Sequence, residues 1–309
     1  MADGLQITLY CFAGIGVVWV LVKILALMAA CWKYFGRGVA DVNQRYGCQG
    51  NSWAVITGGS DGIGKGFAEV LAQQGVNVCI VARNEEKMGN VAGQLKMLNP
   101  EIQTRCVVAD FAKSYQEDFY PRLMGKIEDL DICLLVNNVG VVHVSREADL
   151  TEQQIRDLIN VNIVSHAVLQ KYVVERMRAR SQRSAIINLS SYSGEHYAPM
   201  YSLYSGSKAF NNYLSIATSE EEREKVDIIS FRPMWVQTPM TEGSNGAGVI
   251  DPITAAKCCL RDLPYNRWTI GHWKHALNTW MLEKYPTGAY LAASMNVGIK
   301  MAEDRKKKQ

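Results

Sequence analysis

The stretch YSLYSGSK, residues 201–208, places two phenols and an ammonium within eight positions. A tyrosine titrates near about pH 10, so a phenol that exchanges protons close to neutrality needs a neighbour that favours its ionised form. Lys208 is that neighbour in principle for either Tyr201 or Tyr204. His272 and His275 in GHWKH stand three apart and would share a helical face, but no carboxylate or cysteine accompanies them. No metal site is expected there.

The elements that must position such groups are legible around the glycines. In SWAVITGGSDGIGKGFAEVLAQQGVNVCIVARN an apolar run, Trp53 to Ile56, breaks into glycines, and a helical period continues through Ile63, Phe67, Val70 and Leu71. A second apolar run, Val76 to Ala82, comes after Gly75. Strand, glycine turn, helix and strand in this order make a dinucleotide-binding unit. Gly58, Gly62 and Gly64 depart from the common G-x-G-x-x-G spacing, yet the demand is the same: a side-chain-free turn brings a pyrophosphate to free helix amides. Ser60, Asp61 and Ile63 complete the expected phosphate loop. At the end of the second strand an NAD site would offer a carboxylate to the ribose, whereas this chain has Ala82 and then Arg83. A guanidinium there favours the 2′-phosphate of NADPH, with Lys65 as a further charge.

Four more apolar runs, TRCVVADF, DICLLVNNVG, SAIINLSS and VDIISFRP, alternate with helical patterns near 84–98, 152–180 and 203–224. The expected fold class is α/β, a doubly wound parallel sheet of Rossmann type with ligands at the strand C-terminal ends. With 309 residues, 48% of them apolar, the chain can bury one large core. Its net charge of +3, with obvious basic clustering at the extreme C-terminus alone, does not point to nucleic acid. Eight cysteines show no C-x-x-C pair and read as reduced sulfur filling the core on a cytosolic face.

The ends read differently. Residues 5–22 carry no charge, Lys23 interrupts the run, and apolar residues continue to Cys31. That is long enough for a membrane span of about 20 residues, with Trp19, Trp32 and Tyr34 as interface anchors. A hairpin or monotopic anchor and a soluble helix are alternatives, and a cleaved signal peptide is disfavoured by Asp3. Lys33, Arg37 and Arg45 place the chain from residue 36 onward in the cytosol. The expected organisation is an anchor over 1–35, a linker over 36–50, a catalytic domain over 51–275, and a C-terminal helix with a basic tail over 276–309. Lys306 and Lys307 near the end resemble the dilysine signal of endoplasmic reticulum membrane proteins.

Over roughly residues 50–275 the chain resembles the short-chain dehydrogenase/reductase family. The resemblance rests on TGGSDGIG at 57–64, Asp110, NNVG at 137–140, Asn162, Ser191, YSGSK at 204–208 and RPMWVQT at 232–238. Family spacing sets a serine thirteen residues before the tyrosine and a lysine four after it, which selects Tyr204 over Tyr201. The resemblance implies Tyr204 as proton donor and Lys208, one helical turn on, holding the phenol's pKa down and binding the nicotinamide ribose. It implies Ser191 on the substrate carbonyl and Asn162 holding a water behind Lys208. Asp110 is implied at the adenine, Asn137 to Gly140 along the cofactor, and Pro233 and Thr238 near the nicotinamide. Met234 and Ser165 stand where many relatives have glycine.

The apolar N-terminus, the RPMWVQTPM and TIGHWKH stretches and the lysine-ended tail resemble the membrane-bound subgroup of very-long-chain 3-oxoacyl-CoA reductases and 17β-hydroxysteroid dehydrogenases. The resemblance implies NADPH-dependent reduction of a 3-oxoacyl-CoA at the endoplasmic reticulum membrane, with the catalytic domain facing the cytosol. A steroid or retinoid oxidoreductase is the alternative enzyme, and a non-catalytic subunit of a membrane complex is the alternative of another class. The expected partners are a lipid substrate, the membrane, and a second copy or other members of an elongation complex.

Overall fold

The computed structural model describes residues 2–48, 50–241 and 243–308. Two compact units divide between Gly38 and Val39. The first is a single apolar rod, α1 (Ala2–Cys31), which runs into one π turn, Trp32–Gly36. Phe12–Gly36 is long and apolar enough to cross a membrane, and none of its apolar window is buried. Lys23, which interrupts the run, lies with Nζ 5.4 Å from the centre of the Trp19 ring. A cation over an aromatic face is partly compensated there for lost water.

The second unit begins with α2 (Val42–Tyr46), capped by Asp41, whose carboxylate accepts from the amides of Asn43 and Gln44. It continues as β1 (Ser52–Thr57), α3 (Gly62–Gln73), β2 (Asn77–Ala82), α4 (Glu85–Leu98), β3 (Thr104–Val108), α5 (Phe119–Gly125) and β4 (Asp131–Asn137). Then come α6 (Glu152–Ile159), α7 (Ser165–Arg178), β5 (Ser184–Leu189), α8 (Ser202–Glu221), β6 (Val226–Phe231) and α9 (Pro252–Asp262). The last elements are β7 (Trp268–Thr269), α10 (Trp273–Leu282) and α11 (Thr287–Lys308). All neighbouring strands are parallel, in the order β3-β2-β1-β4-β5-β6-β7.

Both faces of the sheet are covered, which is why its central strands are apolar at every position instead of alternating. On β1, Ala54 and Ile56 join one core with α3, α4 and α9, while Trp53 and Val55 join the other with α5 and α7. The strand order reverses between β1 and β4, and this opens the crevice at the strand C-terminal ends.

The fold departs from the sequence reading in three places. Residues 36–50 are not simply a linker, because Val42, Tyr46 and Cys48 are fully buried members of the first core. The Tyr46 hydroxyl also donates to Asp227 Oδ2 at 3.0 Å. Nor are all cysteines reduced: Cys48 and Cys133 form a disulfide across 85 residues, with Cα atoms 5.6 Å apart. The pairing comes from packing the segment before β1 against β4, a contact that no sequence spacing announces. Cys79, Cys258 and Cys259 do remain buried free thiols, and the Cys11 side chain lies outside the described residues. Finally, β7 adds a seventh strand where no period could show it, being two residues long.

If residues 39–48 belong to the core, Tyr46→Ala lowers the stability of the full chain by about 3 kcal/mol, the cost of emptying a large buried site. Urea unfolding in micelles checks this, and an unchanged midpoint would mean that the segment is a free tether.

Candidate active site

A cleft of about 790 Å³ opens at the strand C-terminal ends. Its floor at one end is the turn between β1 and α3. Gly58 holds φ +64°, and a Cβ there would lie 2.9 Å from Asn138 Nδ2 and 3.1 Å from Val139 Cα. Gly64, one turn into α3, has no room either: its Cβ would meet the Gly58 carbonyl oxygen at 2.4 Å. Only glycine leaves this backbone open to a ligand's phosphates. The amide of Asn138 clasps the turn by donating to the carbonyls of Thr57 at 2.9 Å and Gly58 at 3.1 Å. Thr57 Oγ1 in turn accepts from the amides of Asn138 and Val139.

Of the residues singled out in the sequence, Gly58, Ser60, Asp61, Gly62, Ile63, Arg83, Asp110, Gly140, Ser191, Tyr204, Lys208, Pro233 and Thr238 all line this cleft. Asp110 caps a 3-10 turn by accepting from the Ala112 amide. Three do not line it. Gly64 supports the turn from behind. Asn137 is the last residue of β4 and faces the core, where it donates to Asn188 Oδ1 on β5 at 3.0 Å. Asn138, one position on, is the residue at the cleft, since alternation at a strand end puts consecutive side chains on opposite sides. Asn162 is buried in a π turn, Asn160–Val164, between α6 and α7. Such an extra residue in a helix often marks a functional position. Its Oδ1 accepts from the Val141 amide at 2.8 Å, and its Nδ2 donates to the Val141 carbonyl and to Ser207 Oγ. In this arrangement Asn162 pins the loop after β4 to α8.

The opposite wall is built by α8 and the loop after β5. Gly194 permits this contact, because a Cβ there would lie 2.7 Å from the backbone carbon of Lys208. Ser190 Oγ donates to the Lys208 carbonyl at 2.6 Å, which ties the two segments together one residue from Ser191. Farther along, the buried Arg232 pairs with Glu195 and stacks 4.4 Å from the centre of the Trp268 ring. Met200 takes the left-handed φ of 70° just before α8, its carbonyl held by the Ser145 amide at 3.0 Å. Tyr201 is thereby turned out of the cleft, and its hydroxyl donates to Met301 Sδ on α11 at 3.0 Å.

Tyr204, Lys208 and Ser191 converge. Lys208 Nζ lies 5.7 Å from the centre of the Tyr204 ring and donates to the Leu189 carbonyl at 2.8 Å. Ser191 lowers the pKa of the Tyr204 phenol and accepts from Ser193 Oγ at 2.9 Å. The electrostatics differ from the expectation. Burial pushes the Tyr204 phenol up to about 12, against a smaller lowering by Ser191. Burial also brings Lys208 down to about 7. Desolvation of the phenol itself is the largest cause, and it prevails over the lowering that the sequence reading expected. Tyr204 is therefore a protonated phenol at neutral pH, suited to giving a proton to a stronger base such as an alkoxide.

Sequence reasoning missed Lys87, His143 and Asp157, which also line the cleft. It placed Lys65 near a 2′-phosphate, but Lys65 does not line the cleft and instead sits 3.6 Å from Glu69 one turn along α3. His272 caps α10, and His275 accepts from the Met234 amide, so both imidazoles are engaged by backbone. Met234 lines the cleft, while Ser165 is buried and donates to the Val161 carbonyl.

The sequence profile of short chain dehydrogenases matches residues 52–247. A very-long-chain 3-oxoacyl-CoA reductase of Anas platyrhynchos is 34% identical over 78% of this chain and 78% of its own length. Hydroxysteroid dehydrogenase-like protein 1 of Gallus gallus is 33% identical over 81% of this chain and 75% of its own. Among solved structures, a 7β-hydroxysteroid dehydrogenase superposes with a TM-score of 0.73 at 22% identity, covering 83% of this chain and all of that one. With the parallel sheet, the glycine cradle and the Ser191, Tyr204 and Lys208 constellation already in place, these likenesses make the chain a member of the short-chain dehydrogenases, a family of oxidoreductases.

Proposed function

We propose that the protein reduces the 3-keto group of long-chain 3-oxoacyl-CoA with NADPH, Tyr204 giving the proton. The observation that carries the chemistry is the convergence of a protonated Tyr204, the Ser191 hydroxyl that lowers its pKa and a buried Lys208 at one end of a glycine-floored cleft. The cradle at Gly58 accepts a dinucleotide's phosphates, and the bound cofactor supplies a hydride. Asp110, Pro233 and Thr238 line the same cleft; in this reading Asp110 meets the adenine, and Pro233 and Thr238 the nicotinamide.

The chain's own groups then have separate tasks. Ser191 and Tyr204 hold the substrate carbonyl between two hydroxyls, so that negative charge growing on its oxygen meets donors already in place. As that oxygen becomes an alkoxide, Tyr204 transfers its proton, and the phenolate left behind is steadied by Ser191 and by Lys208 in its charged form. Lys208, braced on the Leu189 carbonyl, fixes where that charge sits. Asn162 and Ser207 lock the loop after β4 against α8 behind it.

The substrate class is taken from the names of the relatives matched over most of the chain. It also agrees with the apolar helix Phe12–Gly36, since a long acyl chain is delivered from a membrane. A steroid ketone is the second reading, favoured by the hydroxysteroid dehydrogenase-like relative. We place the anchor in the endoplasmic reticulum membrane with the catalytic unit in the cytosol, on the strength of Lys33, Arg37 and Arg45 after the apolar run. The Cys48–Cys133 disulfide pulls the other way, because such bonds persist in oxidising compartments. Full burial of both cysteines reconciles it with the cytosol by keeping soluble reductants off the bond.

Two outcomes are expected. Purified full-length protein in micelles consumes NADPH with 3-oxoacyl-CoA and works best on long chains. Tyr204→Phe abolishes that turnover, by about a thousand-fold or more, while NADPH binding measured by fluorescence is retained. Turnover of steroid ketones alone would move the assignment to the second reading, and a fully active Tyr204→Phe would remove Tyr204 as the acid. In sealed microsomes, an impermeant maleimide added outside labels the exposed Cys106. Labelling of Cys106 only after permeabilisation would put the catalytic unit in the lumen.

A further inference from the structure

The helix that carries Tyr204 and Lys208 begins without a side-chain cap. Its cap position is Tyr201, which has no short oxygen to reach the first free amides of α8. Tertiary contacts hold that start instead. The Met200 carbonyl accepts from the Ser145 amide at 3.0 Å, and the residue keeps a φ of 70° that side chains rarely adopt. A conformation of that kind persists where the surroundings over-determine it.

Those surroundings are supplied by α11. Tyr290, Ser294, Gly298 and Met301 recur at helical spacing and form one face of it. Gly298 is buried against the strained residue, where a Cβ would lie 2.6 Å from Met200 Cβ and 2.7 Å from Met200 Cγ. Neither atom is the mobile tip of the methionine, so the backbone at residue 200 would have to move. One turn farther on, Met301 Sδ accepts from the Tyr201 hydroxyl at 3.0 Å. Two turns back, Tyr290 stands near Tyr192, whose phenol is pushed up by burial and then by Tyr290. Tyr192 directly follows Ser191, and Tyr201 lies three residues before Tyr204. One face of α11 therefore meets both segments that deliver the reacting hydroxyls. It does so from outside residues 52–247, the stretch that the family profile matches.

We infer that α11 is a strap and Gly298 a positioning residue, which holds Met200, and through it the first turn of α8, so that Tyr204 meets Ser191 at the substrate carbonyl. The inference rests on Tyr204 as the proton donor and deepens that reading. A looser start to α8 leaves the dinucleotide's cradle alone, because that turn belongs to β1 and α3. It disturbs the alignment of the phenol, and a misplacement of about 1 Å costs up to about a hundred-fold in rate.

The test compares full-length proteins in micelles by hydrogen exchange and by NADPH-dependent turnover of 3-oxoacyl-CoA and of a steroid ketone. Gly298→Ala speeds amide exchange over residues 201–208 by about ten-fold or more, while α3 exchanges as in wild type, which shows that the variant is folded. Its kcat falls by about ten-fold or more, with KM and NADPH affinity within about two-fold of wild type. Adding Met200→Gly to Gly298→Ala restores both, because glycine adopts a φ of 70° freely and has no side chain to collide. Wild-type exchange in Gly298→Ala, or faster exchange with kcat unchanged, would mean that α11 only covers the surface, and the inference fails with the proposed function intact. A double variant no better than the single one overturns it as well. If wild type turns over neither ketone, the proposed function itself fails, and exchange over residues 201–208 still decides whether α11 holds α8.

Discussion

A buried ammonium held by a backbone carbonyl governs the arrangement of this site. Lys208 is 4% exposed, it donates to the carbonyl of Leu189, and burial alone brings it down to about 7. The interior around it is dry enough that the fully buried His166 is held to about 3, first by desolvation and then by Lys208 itself. Keeping such a group inside costs stability. Its folded pKa lies below that of an exposed lysine, so the cost is fully present below about pH 7 and is relieved as pH rises towards about 10.5. The two apolar layers on either face of the sheet offset it. What the fold gains is a cation whose position beside Tyr204 is fixed by a strand carbonyl, a serine and a glycine contact, not by a mobile surface chain.

The rest of the cleft is organised around the same separation of charge. At the Tyr204 end the groups are neutral phenol, hydroxyls and a lysine near its midpoint, which suits a carbonyl that must stay uncharged until it is reduced. At the other end Arg83 and Lys87 stand with Asp61 over a glycine floor, which suits phosphates. The crevice between β1 and β4 joins the two, and Asn138 clasps it from the β4 side. Asn162 performs the matching task for the next loop from inside a π turn.

Much of this is local and therefore legible in the sequence. The run from Trp53 to Ala82 is a strand, glycine turn, helix and strand, and the fold reproduces it as β1, α3 and β2. Tyr204 and Lys208 share a helical face because they are four apart, and Ser191 falls two residues after a strand. The features that are not legible depend on how separate segments meet. Asn137 and Asn138 are adjacent and identical in type, and only the register of β4 against β5 decides which faces the ligand. Lys65 and Lys87 are both near helix starts, and only the face each presents to the cleft separates them. Cys48 and Cys133 are 85 residues apart in sequence. The direction of the Tyr204 shift is hidden for the same reason: a neighbouring charge can be read from spacing, but the depth of burial that overrides it is a property of the whole fold.

The central claim is that burial, not a charged partner, sets both the Lys208 ammonium and the protonated state of Tyr204. It is tested most directly by a carbon NMR titration of the lysine side chains in the cofactor-free protein, with the Lys208 signal identified by its loss in Lys208→Met. The account predicts a midpoint near about 7 for that one signal. A midpoint near about 10.5, the value of an exposed lysine, would contradict it.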